Sequence, residues 1–207
     1  MTQLLCIKAS PRGDQSAANQ AASVFLGELP DGVVVTQIDL SERKLPDVTL
    51  EVSQAKMKSF MGMELTDEEA RQWSAITALA DEFLGADHYL FAIPMWNFSI
   101  PYTFKHYIDA INHPGITFTR DDKGPRGLAS GAATIIYSRG GDYAPKDGKP
   151  DPLDFQSTYV KAWLQTIGIS DVKEILVQNT MMGPDAVAAA ISKATDDLTS
   201  AAQSVGG

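Results

Sequence analysis

One cysteine in 207 residues, Cys6, leaves no internal disulfide possible and gives no support to an oxidising compartment. The apolar run around Cys6 makes it a small buried hydrophobe rather than a redox group. Basic residues are also scarce. Against 26 Asp and Glu stand only 17 Lys and Arg, a net charge of -9, which argues against nucleic acid or an anionic membrane as the main partner. No apolar run approaches the roughly 20 residues of a membrane span, and no apolar segment with a basic flank opens the chain, so a cytoplasmic location is expected. His88, His106 and His113 lack the compact spacing of metal ligands, and no metal is assigned. The dinucleotide pattern G-x-G-x-x-G is missing, and so is the G-x-S-x-G elbow of α/β hydrolases.

What is present is ordinary globular composition, 44% hydrophobic and 21% charged, enough for a substantial core. The length fits one domain over 1–207. Five apolar, β-rich runs stand out at 3–8, 33–38, 87–93, 132–137 and 172–177, with segments of helical spacing between them. Ala21, Val24, Phe25 and Leu29 share one helical face. Trp73, Ile76, Ala80, Phe83 and Leu84 share a second, opened by a capping box of Thr66 and Glu69. Tyr159, Ala162, Trp163 and Ile167 share a third, with Asp151-Pro152 as its expected start and Gly168 as its end. An alanine-rich helix is expected from about Pro184. Strands alternating with helices predict an α/β fold, a doubly wound five-stranded parallel sheet in the order 2-1-3-4-5. Residues 41–66 fit no strand and read as an insertion that lines a site or meets a partner, because it exposes Phe60, Met61 and Met63 beside a glycine.

In such a sheet the loops after the first, third and fourth strands converge at one edge. The first, "ASPRGDQSAANQ", offers the Ser10 and Ser16 hydroxyls and the amides of a helix start, a setting that suits a terminal phosphate. Ser16 equally reads as a plain helix cap, and the loop alone supports both. The second, "PMWNFSIP", stiffens Met95, Trp96, Asn97 and Phe98 between prolines and suits a flat heteroaromatic ring; its alternative is a corner packed into the core. The third, "SRGG", lets backbone lie close to a ligand at Gly140 and Gly141, with Arg139 as a source of charge.

Together these pieces resemble the FMN-dependent NADH azoreductases, also described as NADH:quinone oxidoreductases of flavodoxin-like fold. "PMWNF" and "SRGG" match that family's two flavin loops, and "GITF" (115–118), "GP-x-GL" (124–128), "GI-x-DV" (168–172) and Gly183-Pro184 match further landmarks. The resemblance implies that Ser10, Ser16, Ala17 and Ala18 bind the FMN phosphate. It places Met95, Trp96, Asn97 and Phe98 on the isoalloxazine, with Ser138, Arg139, Gly140 and Gly141 on its other margin. Ala18 stands where the family often has a second serine, so backbone amides carry more of the phosphate. The implied chemistry is ping-pong two-electron transfer from NADH or NADPH to quinones or azo compounds, borne by the flavin without a catalytic acid–base pair. The resemblance further implies a homodimer with a shared pocket, for which Phe60, Asn97 and Phe118 are the expected acceptor-binding residues. A flavodoxin-like electron carrier without its own substrate pocket is the rival reading.

Overall fold

The computed structural model describes residues 1–122 and 124–206. Among the described residues seven strands occur, β1 (Thr2–Lys8), β2 (Val33–Asp39), β3 (His88–Pro94), β4 (Phe118–Asp121), β5 (Gly124–Gly127), β6 (Ala132–Ser138) and β7 (Asp171–Val177). Six helices accompany them: α1 (Ala17–Gly27), α2 (Leu50–Phe60), α3 (Asp67–Leu84), α4 (Tyr102–Ile111), α5 (Phe155–Ile167) and α6 (Pro184–Gln203). Five strands form one parallel sheet in the order β2-β1-β3-β6-β7. That is the expected 2-1-3-4-5 pattern, since β4 and β5 form a separate antiparallel hairpin.

Alternation along β1 explains the layering. Leu5 and Ile7 point into a core shared with α3, α4 and α5, whereas Leu4 and Cys6 point into a second core under α1 and α6. β3 lies at the centre and is buried along its whole length, as a strand covered on both faces must be. Cys6 is fully buried, and desolvation pushes its thiol up to about 12, which suits an inert packing residue.

Local chemistry sets the helix ends. Thr66 and Glu69 form the expected capping box at α3, and Glu69 also takes both hydrogen bonds of the Lys58 ammonium, at 2.7 and 2.8 Å. The end of α2 is thereby tied to the start of α3. Gly168 closes α5 at φ +105°, where a Cβ would meet the Ala129 carbonyl oxygen at 2.7 Å.

Three expectations need correction. Asp151-Pro152 does not start α5. It forms a turn, and the cap is Asp154, whose carboxylate accepts the Ser157 amide at 2.9 Å. Ala162 lies exposed, and the buried face of α5 is Val160, Trp163, Leu164 and Ile167. "GITFTR", which reads as a loop carrying Phe118 after the 102–112 helix, instead runs into the hairpin β4–β5, with Phe118 paired to Gly127.

α4 is followed by a buried histidine. His113 is 2% exposed, its ring 5.1 Å from that of Trp73 on α3, and neither ring nitrogen has a hydrogen-bond partner among the described residues. Burial above all, then the charge of Lys56, lowers its pKa from 6.5 to about 4, while the Ala110 carbonyl and Asp109 pull the other way. The unfolded chain therefore binds a proton here that the folded chain refuses between those two values. Its stabilising contribution is complete above about pH 6.5 and is lost as pH falls toward 4. Urea midpoints should fall from pH 7 to pH 5 in the native chain and fall less in His113→Phe. Parallel losses in both proteins would contradict this assignment.

Candidate active site

The carboxyl ends of β1, β3 and β6 bring three loops around a cleft of about 480 Å³, within the roughly 300–1,000 Å³ range of cofactor sites. Ser10, Ser16 and Ala17 line it from the first loop. Met95, Trp96, Asn97 and Phe98 line it from the second, and Ser138 and Gly140 from the third. These nine expected residues therefore meet in one place, whereas Ala18, Arg139, Gly141, Phe60 and Phe118 do not line it.

The first loop ends where α1 begins. Ser16 caps α1 by accepting the Asn19 amide at 3.4 Å. Capping uses an oxygen lone pair and leaves the hydroxyl hydrogen to donate, so the cap and phosphate readings are compatible. Ser10 is in the same position, its oxygen accepting the Arg12 amide at 3.4 Å. The amides of Ala17 and Ala18 have no acceptor among the described residues, as expected for the first turn of a helix. Ala18 is fully buried and contributes only backbone. The donor set is two hydroxyls, two amides and a helix dipole, chemistry that fits a phosphate.

The second loop is a tight turn. The Trp96 and Ser99 backbones exchange hydrogen bonds at 2.9 and 3.0 Å across Asn97 (φ 47°) and Phe98 (φ 69°). Two central residues with positive φ make this a type I′ turn. Asn tolerates that region; an aromatic residue does so at a cost of about 1–3 kcal/mol. The Asn97 and Phe98 amides have no acceptor among the described residues. The reading of this loop as a packed core corner is set aside, because Trp96, Asn97 and Phe98 are all exposed. Outside bonds hold the turn: Met95 N to Ser138 O at 2.7 Å, and Phe155 N to Phe98 O at 3.1 Å.

Arg139 departs from its expected role. It is 1% exposed, and its guanidinium is spent inside the protein rather than in the cleft. Nε donates to Gln156 Oε1 at 3.0 Å, Nη1 to the Tyr143 carbonyl at 3.0 Å and Nη2 to Asp154 Oδ2 at 2.8 Å. Gln156 passes the link on to the Ile93 carbonyl at 3.0 Å, at the end of β3. Burial raises the Asp154 carboxyl, but the Ser157 hydroxyl and amide together with Arg139 hold it below its ordinary value. Gly141 is also off the cleft wall, packed against the Tyr143 ring. Phe60 and Phe118 line neither this cleft nor its neighbour in their own chain.

Sequence reasoning passed over Tyr143, Thr180 and Met181, all on the cleft wall. Met181 lies over Gly140, where an added Cβ would sit 2.5 Å from its Cγ. An exposed "TMM" just before Gly183-Pro184, at the carboxyl end of the fifth run, was the available signal.

A larger cavity of about 940 Å³ adjoins the cleft. It runs between α2 and α4 and shares Trp96 and Asn97 with the smaller one.

Comparison with known proteins agrees with this geometry. The family described as having a flavodoxin-like fold matches residues 2–201. An FMN-dependent NADH:quinone oxidoreductase of Desulfotalea psychrophila is 41% identical over 186 residues, 87% of each chain. FMN-dependent NADH:quinone oxidoreductase 3 of Pseudomonas fluorescens is 37% identical, covering 98% of this chain and 97% of its own. Among solved structures, an FMN-dependent NADH-azoreductase of Bacillus anthracis in complex with FMN superposes with a TM-score of 0.84 at 25% identity, over 98% of this chain and 100% of its own.

Arg139→Gln removes one partner of a buried ion pair and leaves the other uncompensated. It should destabilise the fold by about 3–5 kcal/mol in urea unfolding. A loss below about 1 kcal/mol, typical of a surface pair, would show that Arg139 does not fasten the loops.

Proposed function

This chain belongs to the flavodoxin-like fold family, and on that premise we propose that it is an FMN-dependent NADH:quinone oxidoreductase that also reduces azo compounds. One observation carries the reading: Ala17 at the start of α1 and Asn97 and Phe98 of the 96–99 turn, whose amides have no acceptor among the described residues, line a single cleft together with Ser10, Ser16, Ser138 and Gly140. The names of the relatives agree with it.

When bound, FMN supplies the two-electron carrier between NADH, or NADPH, and an acceptor that follows it over the same ring face. Each loop of the chain then has a task. The Ser10 and Ser16 hydroxyls and the Ala17 and Ala18 amides hold the phosphate. The Asn97 and Phe98 amides present two fixed donors to the edge of the flat ring, where negative charge develops on reduction. Met95 and Trp96 pack beside them, and Ser138 and Gly140 let the opposite margin lie close to backbone, with Gly141 set behind the wall against Tyr143. Arg139 acts from behind by fixing these loops.

The rival reading is an electron carrier, which needs no second pocket. The cavity beside the cleft, walled by Trp96, Tyr102 and Tyr159, favours the enzyme.

The same reading makes the chain one domain over 1–207 and half of a homodimer. Phe60, Met61 and Met63 are 64%, 59% and 54% exposed at the end of α2, a patch held out rigidly by the Lys58–Glu69 link. The Phe60 and Phe118 of a partner subunit would complete the acceptor pocket over Asn97, since neither lines the cleft or the cavity beside it in its own chain. Excluding water from the reacting ring gives such a dimer its catalytic value.

Purified protein mixed with FMN should turn yellow, quench flavin fluorescence and bleach with NADH. Ser16→Ala should weaken FMN binding by about 1–3 kcal/mol, beyond the roughly 1 kcal/mol of fold stability lost with the cap. Lower stability with unchanged FMN affinity would leave Ser16 a cap only. Activity should fall on dilution in step with dimer dissociation measured by sedimentation; a fully active monomer would end the shared-pocket proposal.

A further inference from the structure

The larger cavity carries a charge pattern at odds with the chain around it. The protein bears a net charge of -9, yet this cavity is lined by Lys56 and Lys105 against a single carboxylate, Asp109. Both Asp109 oxygens are taken by Lys105, at 2.6 and 2.7 Å, one turn along α4. Lys56, on α2, has no ion pair among the described residues. It is only partly exposed, and loss of solvent lowers its pKa, with Asp109 opposing. A half-desolvated cation without a carboxylate is costly unless something anionic arrives.

His113 supplies a second, independent observation. Its ring forms part of the same wall and is 2% exposed; neither nitrogen makes a well-formed hydrogen bond among the described residues, and the Ala110 carbonyl is the one backbone acceptor that acts on it. Held neutral by burial, it keeps one N–H to donate. His106, also on the wall, is occupied by the Pro46 carbonyl at 2.9 Å and adds no free group of that kind. The rest of the wall includes Trp96, Ile100, Tyr102 and Tyr159. A cation, a buried donor and aromatic walls recognise one class of ligand, an aromatic ring carrying a carboxylate or sulfonate.

We propose that the cavity between α2 and α4 is a subsite for the anionic group of an aromatic electron acceptor, bound by Lys56 and His113 with its ring toward Trp96. The proposal rests on the oxidoreductase reading above and narrows its acceptor class. Trp96 and Asn97 wall both cavities, so a ligand anchored at Lys56 extends toward the turn that would hold the flavin ring. The acidic remainder of the surface repels anions at long range, and Lys56 provides the local exception.

The test uses FMN-supplemented native protein and Lys56→Gln, a change at the cavity wall of α2 outside the buried core. Titration with 2-naphthoate and its neutral isostere 2-naphthamide reads the subsite without turnover. The native protein should bind the carboxylate at least about tenfold tighter, and Lys56→Gln should abolish that ratio. In steady state, Lys56→Gln should lower kcat/KM for 1,4-naphthoquinone-2-sulfonate about tenfold while leaving neutral 1,4-naphthoquinone and the KM for NADH unchanged. Equal affinity for the two naphthalenes, or a ratio that survives in Lys56→Gln, overturns the proposal. So does an equal loss on both quinones, which would make Lys56 structural. A raised KM for NADH with unaltered quinone kinetics would assign the cation to the donor's phosphates and overturn it too. A native protein that prefers 2-naphthoate but reduces neither quinone would overturn the acceptor role together with the oxidoreductase reading. Turnover of neutral quinone without naphthoate discrimination would remove the subsite alone.

Discussion

The Arg139 guanidinium is the fastening on which the candidate site depends. It is buried at the end of β6 and bonds at once to the Tyr143 carbonyl, to Asp154 before α5 and to Gln156, which reaches on to the end of β3. The next segment is tied in as well, because the Arg139 carbonyl accepts both the amide and the hydroxyl of Thr180. The planar guanidinium thus joins the 143 and 154–156 segments and, through Gln156, the end of β3, while the Arg139 carbonyl holds the 180 segment. Lysine could not reproduce this, since a point charge lacks the fork geometry that makes three directed bonds. The desolvation cost of burying the charge is met only because Asp154 and the neutral acceptors are all in place.

With that frame rigid, local strain becomes tolerable at the 96–99 turn. Asn97 and Phe98 occupy a region of backbone space that side chains resist. The Trp96–Ser99 bonds, the Met95–Ser138 bond and the Phe155–Phe98 bond over-determine the conformation. Two unbonded amides at fixed positions are what the strain yields. Preorganised donors of this sort need no reorganisation when charge develops before them, which is how a backbone turn can assist redox chemistry without any titrating side chain.

Much of this was legible in the sequence, for identifiable reasons. All five strands of the main sheet were readable to within a residue or so at each end, since short apolar runs between polar or glycine-containing turns mark them, the central ones buried and the edge strands β2 and β7 rich in β-branched residues. Ser16, Thr66 and Gly168 were readable as helix ends because each acts on its own neighbourhood. Asp154 was missed because Asp151-Pro152 mimics a helix start three residues early, and only the distant Arg139 selects between them. The β4–β5 hairpin was missed because "GPRG" lacks both alternation and β-branched residues. Arg139 itself was misread for a related reason. A charge beside two glycines looks like a ligand group until its long-range partners are known. Burial of a polar side chain is a property of the fold, and no local pattern encodes it.

The central claim is that unpartnered amides of two loops, Ala17 and Ala18 on one and Asn97 and Phe98 on the other, are the polar contacts of FMN. It is tested most directly by following the backbone ¹H–¹⁵N resonances of labelled protein during titration with FMN. The largest shifts should fall on those four amides, with smaller ones at Ser138 and Gly140 and none at the opposite edge of the sheet around Gly32 and Gly131. Shifts centred on that opposite edge, or an unchanged Asn97–Phe98 pair at saturation, would contradict the account.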